Sequence, residues 1–299
     1  MKVRWLFALS DDNDQEIPHK YACAKSAPSA LVMLRATDFD RDVCWRQPRP
    51  LQGLLCCIHI GYNDDVLLRN MLEYGEHVQT ACVALGSRFK LVVTTVEDDV
   101  AQKTRAMWKG SAPSVFVVEN RGVDALGFLA ALHHHNWGKD GSNTIQIYSH
   151  ALKLHSKSNN LWRQQLAIFV HSIERATASL DLFNQADAPG MVASASWSRT
   201  GTGNLTVPIS HFLCDDLKWF ESAAAALPIC HTGQWSGGSF WAANLPMLTQ
   251  AFGHFDIERE KQLSPIGHGW GPTEGRLHYL ERAFGLACAR FGMTYMGVG

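Results

Sequence analysis

Between residues 51 and 155 the chain changes its hydrophobic period repeatedly. LLCCIHIGY is followed by an amphipathic stretch from about Asp64 to Val78, then FKLVVTTV, DDVAQKTRAMW, SVFVVE, DALGFLAALHHH and TIQIYSHALKLH. The short apolar runs read as strands, and the stretches between them, with apolar pairs such as Val66-Leu67 and Met71-Leu72 recurring after more than one helical turn, read as helices. Asn63 or Asp64 is the expected N-cap of the first helix. Strands alternating with helices of roughly 10 to 15 residues predict βαβ units, and so a mostly parallel central sheet flanked by helices. The pattern also locates a site. Ligands of open α/β sheets lie outside the carboxyl ends of the strands, which makes the segment after each strand a candidate.

The rest of the chain is less regular. Residues 2–9 read as a short strand, and prolines and charges punctuate the segment up to RQPRP at 46–50. A boundary is expected there, separating an N-terminal extension (1–50) that packs on or adds to the sheet from one α/β domain over 51–299. A first half of that domain runs to about 195 and a second from about 196. One helix is expected over Leu161–Phe183, a strand at MVASAS, a loop rich in Gly, Ser, Thr and Asn over 198–210, and a helix over Asp215–Ala226. A Gly-rich crossing at SGGSFW and a helix over Thr273–Phe291 complete the reading.

Composition narrows the class of ligand. A net charge of -1 without a long run of Lys or Arg gives no footprint for nucleic acid or a polybasic membrane contact, so a small molecule is the expected partner. The eight cysteines form no CxxC pair, and Cys56-Cys57 lies inside an apolar strand, where reduced buried thiols are expected. The opening MKVRWLFALSDDND lacks the apolar region of a signal peptide, and no stretch reaches the roughly 18 apolar residues of a membrane span. These features predict a cytoplasmic protein.

The segments following the strands, in order, are HIGYND, TTVEDD, ENRGVDALGFL and KLHSKSNNLWR. They carry His59 and Tyr62, then Thr94 and Thr95, then Asn120, Arg121, Gly122 and Asp124 ahead of Phe128 and Leu129, and finally His155, Ser156 and Lys157 ahead of Trp162 and Arg163. GSFWAANLPML and EGRLHYLERAFG follow later. In order and spacing this set resembles the rhamnan synthesis protein F family of glycosyltransferases. The resemblance implies a GT-A-like nucleotide-diphospho-sugar transferase fold and glycosyl transfer in polysaccharide or glycan assembly. It also implies a donor site built from His59, Tyr62, Thr94, Asn120, Arg121, Asp124, His155, Lys157 and Arg163.

The chemistry of these residues fits that expectation. Asp124, just past a glycine that lets the backbone approach a ligand, would accept hydrogen bonds from a ribose or a base edge; as a first-turn acid it would also complement the helix dipole. Most GT-A enzymes hold a divalent cation at the departing diphosphate with an Asp-x-Asp pair. Here the corresponding segment reads Leu154-His155-Ser156-Lys157. Lys157 as a point charge, Arg163 as a bidentate partner and His155 as a donor or lone metal ligand would then stabilise the diphosphate, with Mg or Mn possible but not required.

The other acidic pairs, Asp64-Asp65, Asp98-Asp99 and Asp215-Asp216, each open an expected helix, where capping accounts for them. Asp38-Phe39-Asp40 has Asp-x-Asp spacing but precedes the sheet. The His133-His134-His135 run reads as a solvated helix end, because neighbouring helical side chains point in different directions. In the second half, Trp270 and Glu274 sit in GHGWGPTEG, a turn similar to the Trp-Gly-x-Glu-Asp turn of some GT-A galactosyltransferases. A direct-displacement transferase needs a carboxylate to take the acceptor proton and aromatic faces to bind a sugar. Glu274 is the expected base, with an inverting outcome and Glu281 in reserve, and Trp235, Ser239, Trp241 and Trp270 are the expected acceptor contacts. Two other classes fit the same sheet. A nucleotidyltransferase would need a Gly-rich phosphate loop that HIGYND lacks, and a catalytically inactive nucleotide- or glycan-binding module would also lack the Asp-x-Asp pair.

Overall fold

Strand β1 (Gly53–Ile60) is buried along its whole length, which explains why it reads as a continuous apolar run rather than an alternation. The structure is a computed structural model that describes residues 49–120, 123–134, 147–156, 158–200, 234–252, 257–258, 281, 283–285, 287–288 and 293–299. All of these fall within the compact unit Leu34–Gly299. The expectations for residues 1–48, 201–233 and 259–280 therefore lie outside the described residues.

After β1 come α1 (Asp65–Ala84), β2 (Arg88–Thr95), α2 (Asp98–Met107), β3 (Ser114–Val117), α3 (Val123–His134) and β4 (His150–His155). Asp64 caps α1, its carboxylate accepting from the backbone N–H groups of Val66 and Leu67. The single helix expected over Leu161–Phe183 is instead two, α4 (Asn160–Leu166) and α5 (Ile173–Asp181). The second has its own N-cap in Ser172, whose hydroxyl accepts from the Arg175 N–H. Strands β5 (Met191–Ser194), β6 (Ser198–Thr200), β7 (Gln234–Ser236) and β8 (Trp241–Asn244) follow, then helix α6 (Leu245–Phe252) and strand β9 (Tyr295–Val298). Of the expected helix over Thr273–Phe291, the described residues 281, 283–285 and 287–288 are helical.

Among the described residues, seven strands form one sheet in the order β3-β2-β1-β4-β8-β5-β9, and β6 pairs with β7 apart from it. Strands β1 to β4 run parallel, and β9 runs parallel to β5. Among the described strands of this sheet only β8 is reversed, antiparallel to both β4 and β5. This is the expected mixed α/β architecture. One face of the sheet packs on α3, α6 and Phe284 through Leu55, Cys57, Val92, Ala151 and Trp241. The other packs on α1, α2 and α5 through Leu54, Cys56, Ile58, Leu91, Leu152 and Leu154. Among the described residues, no helix is long and apolar enough to cross a membrane.

The candidate site at the carboxyl edge of the sheet

Strand order reverses at β1. From there the chain moves outward to β2 and β3 on one side, then returns to place β4 on the other. Such a switch point leaves a crevice outside the carboxyl ends of the two central strands, because the connections leave on opposite sides. His59 and His155 close those two ends and are paired in register, with Thr94 on the other flank of His59. The side-chain period of two puts all three on the α3 face. The strand ends are tied beyond the ladder as well: the Ser156 N–H donates to the His59 carbonyl at 2.8 Å, and the Gly61 N–H to the Ser156 hydroxyl at 2.9 Å.

His59 is buried and held in one orientation. Its Nδ1 lies 3.1 Å from Thr94 Oγ1, which in turn lies 3.2 Å from the Gly127 carbonyl. The hydroxyl has a single proton and the carbonyl can only accept, so Thr94 donates to Gly127 and receives the Nδ1 proton of His59. This fixes the tautomer. Gly127 is required here because a Cβ at that position would lie 2.3 Å from His59 Nδ1.

One register step back, Lys153 is 1% exposed and sits between Cys57 and Trp241. A buried ammonium needs a charge partner and hydrogen-bond acceptors. It has both, donating to Asp124 Oδ2 at the start of α3 and, at 3.2 Å, to the Ser239 carbonyl. His155 Nε2 lies 2.7 Å from the Gly238 carbonyl and 3.6 Å from Asp124 Oδ2. Since the carbonyl only accepts, Nε2 carries the proton. From the C-terminal helical segment, Glu281 accepts the Gly238 N–H. Burial raises the Cys57 thiol pKa, and the neighbouring Lys153 charge lowers it only in part, so Cys57 is a neutral, inert group.

The expected donor residues thus divide. His59, Thr94, Asp124 and His155 converge on the carboxyl edge, where Asp124 accepts from Lys153. Tyr62 is 39% exposed on the loop after β1, and Asn120 is half-buried after β3. Arg163 turns elsewhere: it is buried, with Nη2 2.7 Å from Asn160 Oδ1 and a hydrogen bond to Tyr74, whose pKa is raised by burial despite it. Arg121, Lys157, Trp270 and Glu274 lie outside the described residues, as do the side chain of Trp235 and the pairs Asp38-Asp40 and Asp215-Asp216.

Among the expected acceptor contacts, Ser239 is buried in the turn before β8 with a left-handed φ of 59°. Trp241 has no exposed surface, its ring packed edge-on against Phe128 at 5.0 Å and beside Phe284 at 5.1 Å. This is a correction: an indole covered on all sides offers no face to a sugar. Lys153 was missed in sequence, although a lone lysine inside the apolar strand HALKLH is the mark of a paired buried charge.

Asp98 and Asp99 open α2, as expected of helix-start acids. Asp99 bonds the Val100 N–H at 2.8 Å and the Asn63 amide at 2.6 Å, and Lys103 bridges Asp65 at 2.8 Å. His133 is exposed near the end of α3. No group of three or more metal-ligating side chains gathers among the described residues. The donor set at the end of β4, one imidazole beside a carboxylate already bound to an ammonium, does not fit the hard-oxygen pair that Mg or Mn prefers.

No protein-family model matches this chain, and no curated protein matches it. Among solved structures, core-mannan synthase A from Aspergillus fumigatus, crystallised in its Mn/GDP form, is similar to it at 8% identity. The likeness covers 80% of this chain and 70% of that one, with a TM-score of 0.33. At that score it carries no weight for fold or activity. Fold and site together define a mixed α/β protein with a topological switch point between β1 and β4 of a mostly parallel sheet.

Proposed function

We propose that this chain is a GT-A-like glycosyltransferase that moves a sugar from a nucleotide-sugar donor to an acceptor hydroxyl in polysaccharide or glycan assembly, with inversion at the anomeric carbon. The observation that carries the reading is the switch point between β1 and β4, where His59 and His155 are paired in register at the carboxyl ends. Nucleotides bind such crevices across unrelated α/β enzymes. The ordered motifs resembling the rhamnan synthesis protein F family supply the glycosyl-transfer half of the reading, and His59, Thr94 and His155 among them stand at this edge.

In this reading the nucleotide diphosphate lies over the ends of β1 and β4, with Tyr62, Asn120 and Arg121 toward the nucleoside. Lys157 supplies the positive charge that stabilises the departing diphosphate, in the role a metal plays in other GT-A enzymes. Glu274 takes the acceptor proton, and Trp235 and Trp270 bind the acceptor sugar. A second reading, a nucleotide- or glycan-binding module without turnover, is favoured by one feature: Asp124 and Lys153 neutralise each other inside the site.

A thermal-shift panel of nucleotide sugars and diphosphates, with and without Mn2+ and with EDTA, tests both. A ligand at about 100 times its Kd adds about 2.7 kcal/mol and raises Tm by several degrees. If no nucleotide shifts Tm under any of these conditions, the crevice is not a donor site. Binding without transfer to any acceptor selects the inactive module.

A further inference from the structure

We propose that Lys153 and Glu281 are positioning residues that act through the Gly238–Ser239 turn to fix the orientation and tautomer of His155; the relevance of this to a donor rests on the reading of the crevice given above. Because β8 runs against β4, it begins where β4 ends: Lys153 pairs in register with Trp241, and the turn before Trp241 stands at the carboxyl edge. That turn is unusual. Gly238 has φ 87° and Ser239 has φ 59°, both left-handed, and a Cβ at Gly238 would lie 2.6 Å from Leu166 Cδ1. A non-glycine residue keeps such a conformation only when its surroundings over-determine it.

Here they do so with three ionisable groups from two separate elements, directed at the backbone of two residues. Lys153 of β4 takes the Ser239 carbonyl, Glu281 of the C-terminal segment takes the Gly238 N–H, and His155 at the end of β4 donates to the Gly238 carbonyl. Asp124 from α3 completes the set by pairing with Lys153. A reversal between two strands needs no charged anchors, since glycine and ordinary turn residues suffice. The anchors have one evident recipient. The Gly238 carbonyl keeps the proton of His155 on Nε2, and that ring is the register partner of His59 at the switch point.

The test uses the full chain labelled with 15N-histidine, whose ring shifts report the tautomer, together with titrations of UDP and GDP. Wild type and Glu281→Gln, which keeps an oxygen acceptor for the Gly238 N–H, are expected to show the Nε2–H tautomer of His155 and equal nucleotide affinity. Glu281→Ala is expected to mix the tautomers and to weaken binding at least about tenfold, by analogy with the lower end of what losing an orienting partner costs a metal-bound histidine. Lys153→Met removes the ammonium from which Asp124 accepts and is prone to misfold, so Asp124→Asn/Lys153→Met, which removes both charges, is measured beside it with the same expectation as Glu281→Ala.

If the His155 tautomer is unchanged in both Glu281→Ala and the double variant, the proposal is overturned. It is equally overturned if the tautomer changes while nucleotide affinity stays at the wild-type value, because His155 then has no part in the site. If the wild-type chain binds neither nucleotide, the reading of the crevice falls, and the tautomer signals alone decide the positioning.

Discussion

Strand β4 carries a buried histidine at each end, and the two have opposite surroundings. At the amino end, the His150 ring packs 4.1 Å from that of Phe183, with Nδ1 2.9 Å from the Ser149 hydroxyl. Its Nε2 has no hydrogen-bond partner among the described residues. Burial alone lowers its pKa to about 3, so it is a neutral packing residue. At the carboxyl end, His155 donates to a backbone carbonyl and lies 3.6 Å from a carboxylate, beside a buried ammonium. Both side chains are almost wholly out of water. What separates the two histidines of this strand is whether the fold brings charge to meet them.

The sharpest way to break this contrast is at the carboxyl end. Lys153→Met or Asp124→Asn removes one half of this ion pair and is expected to lower unfolding free energy by about 3–5 kcal/mol. Urea denaturation of the double variant should recover most of that loss, since no charge is then stranded. Recovery of less than half would mean that the packing of the lysine stem, not its charge, dominates.

The amino end predicts an acid response. The folded pKa of His150, about 3, lies below the unfolded value near 6.5. Between those values the unfolded chain binds more protons. The contribution of His150 is therefore complete above about pH 6.5 and is lost as pH falls toward 3, at up to about 1.4 kcal/mol per pH unit. Comparing urea midpoints of wild type and His150→Leu across pH 7 to 4 isolates this term, and parallel curves would show that His150 titrates normally.

Gly127→Ala probes the link between α3 and His59 at smaller scale. The added methyl must displace the ring, costing about 1–3 kcal/mol and disturbing the hydrogen bond to Thr94. A full loss of nucleotide binding with little loss of stability would sharpen the assignment of His59 to the site. Lys103→Ala, at the exposed bridge to Asp65, should leave the urea midpoint unchanged within error, because such pairs are screened by solvent.

Much of the sheet was legible because strands buried on both faces appear as apolar runs, and Asp64 announced the start of α1. The break between α4 and α5 was not legible. AIFVHS contains no glycine or proline, and Leu166, Phe169 and Val170 are buried across the turn just as they would be along one helix. Strands β8 and β9 are four residues each, too short to show a period, and their pairing is set by distant partners. At the candidate site, the convergence of His59, Thr94, Asp124 and His155 was legible because three of them close strands and Asp124 opens the helix after one. Lys153 and the Gly238–Ser239 turn could not, since their meaning depends on a reversed strand that brings residues 86 positions apart into contact.

That reversed strand also bears on the order of assembly. Strands β1, β2 and β3 are joined by short helical crossovers, whereas the contacts that complete the site span 83 and 86 positions, and β5 meets β9 across the pairing Met191↔Tyr295. Closing long loops costs entropy before any contact forms, so distant pairings follow local ones. The helix-wrapped β1–β3 layer is expected to condense first and β8 to dock afterwards. On this view the polar cluster is sealed in the last stages of folding, and a chain stalled before that step would have most of its core but an incomplete site.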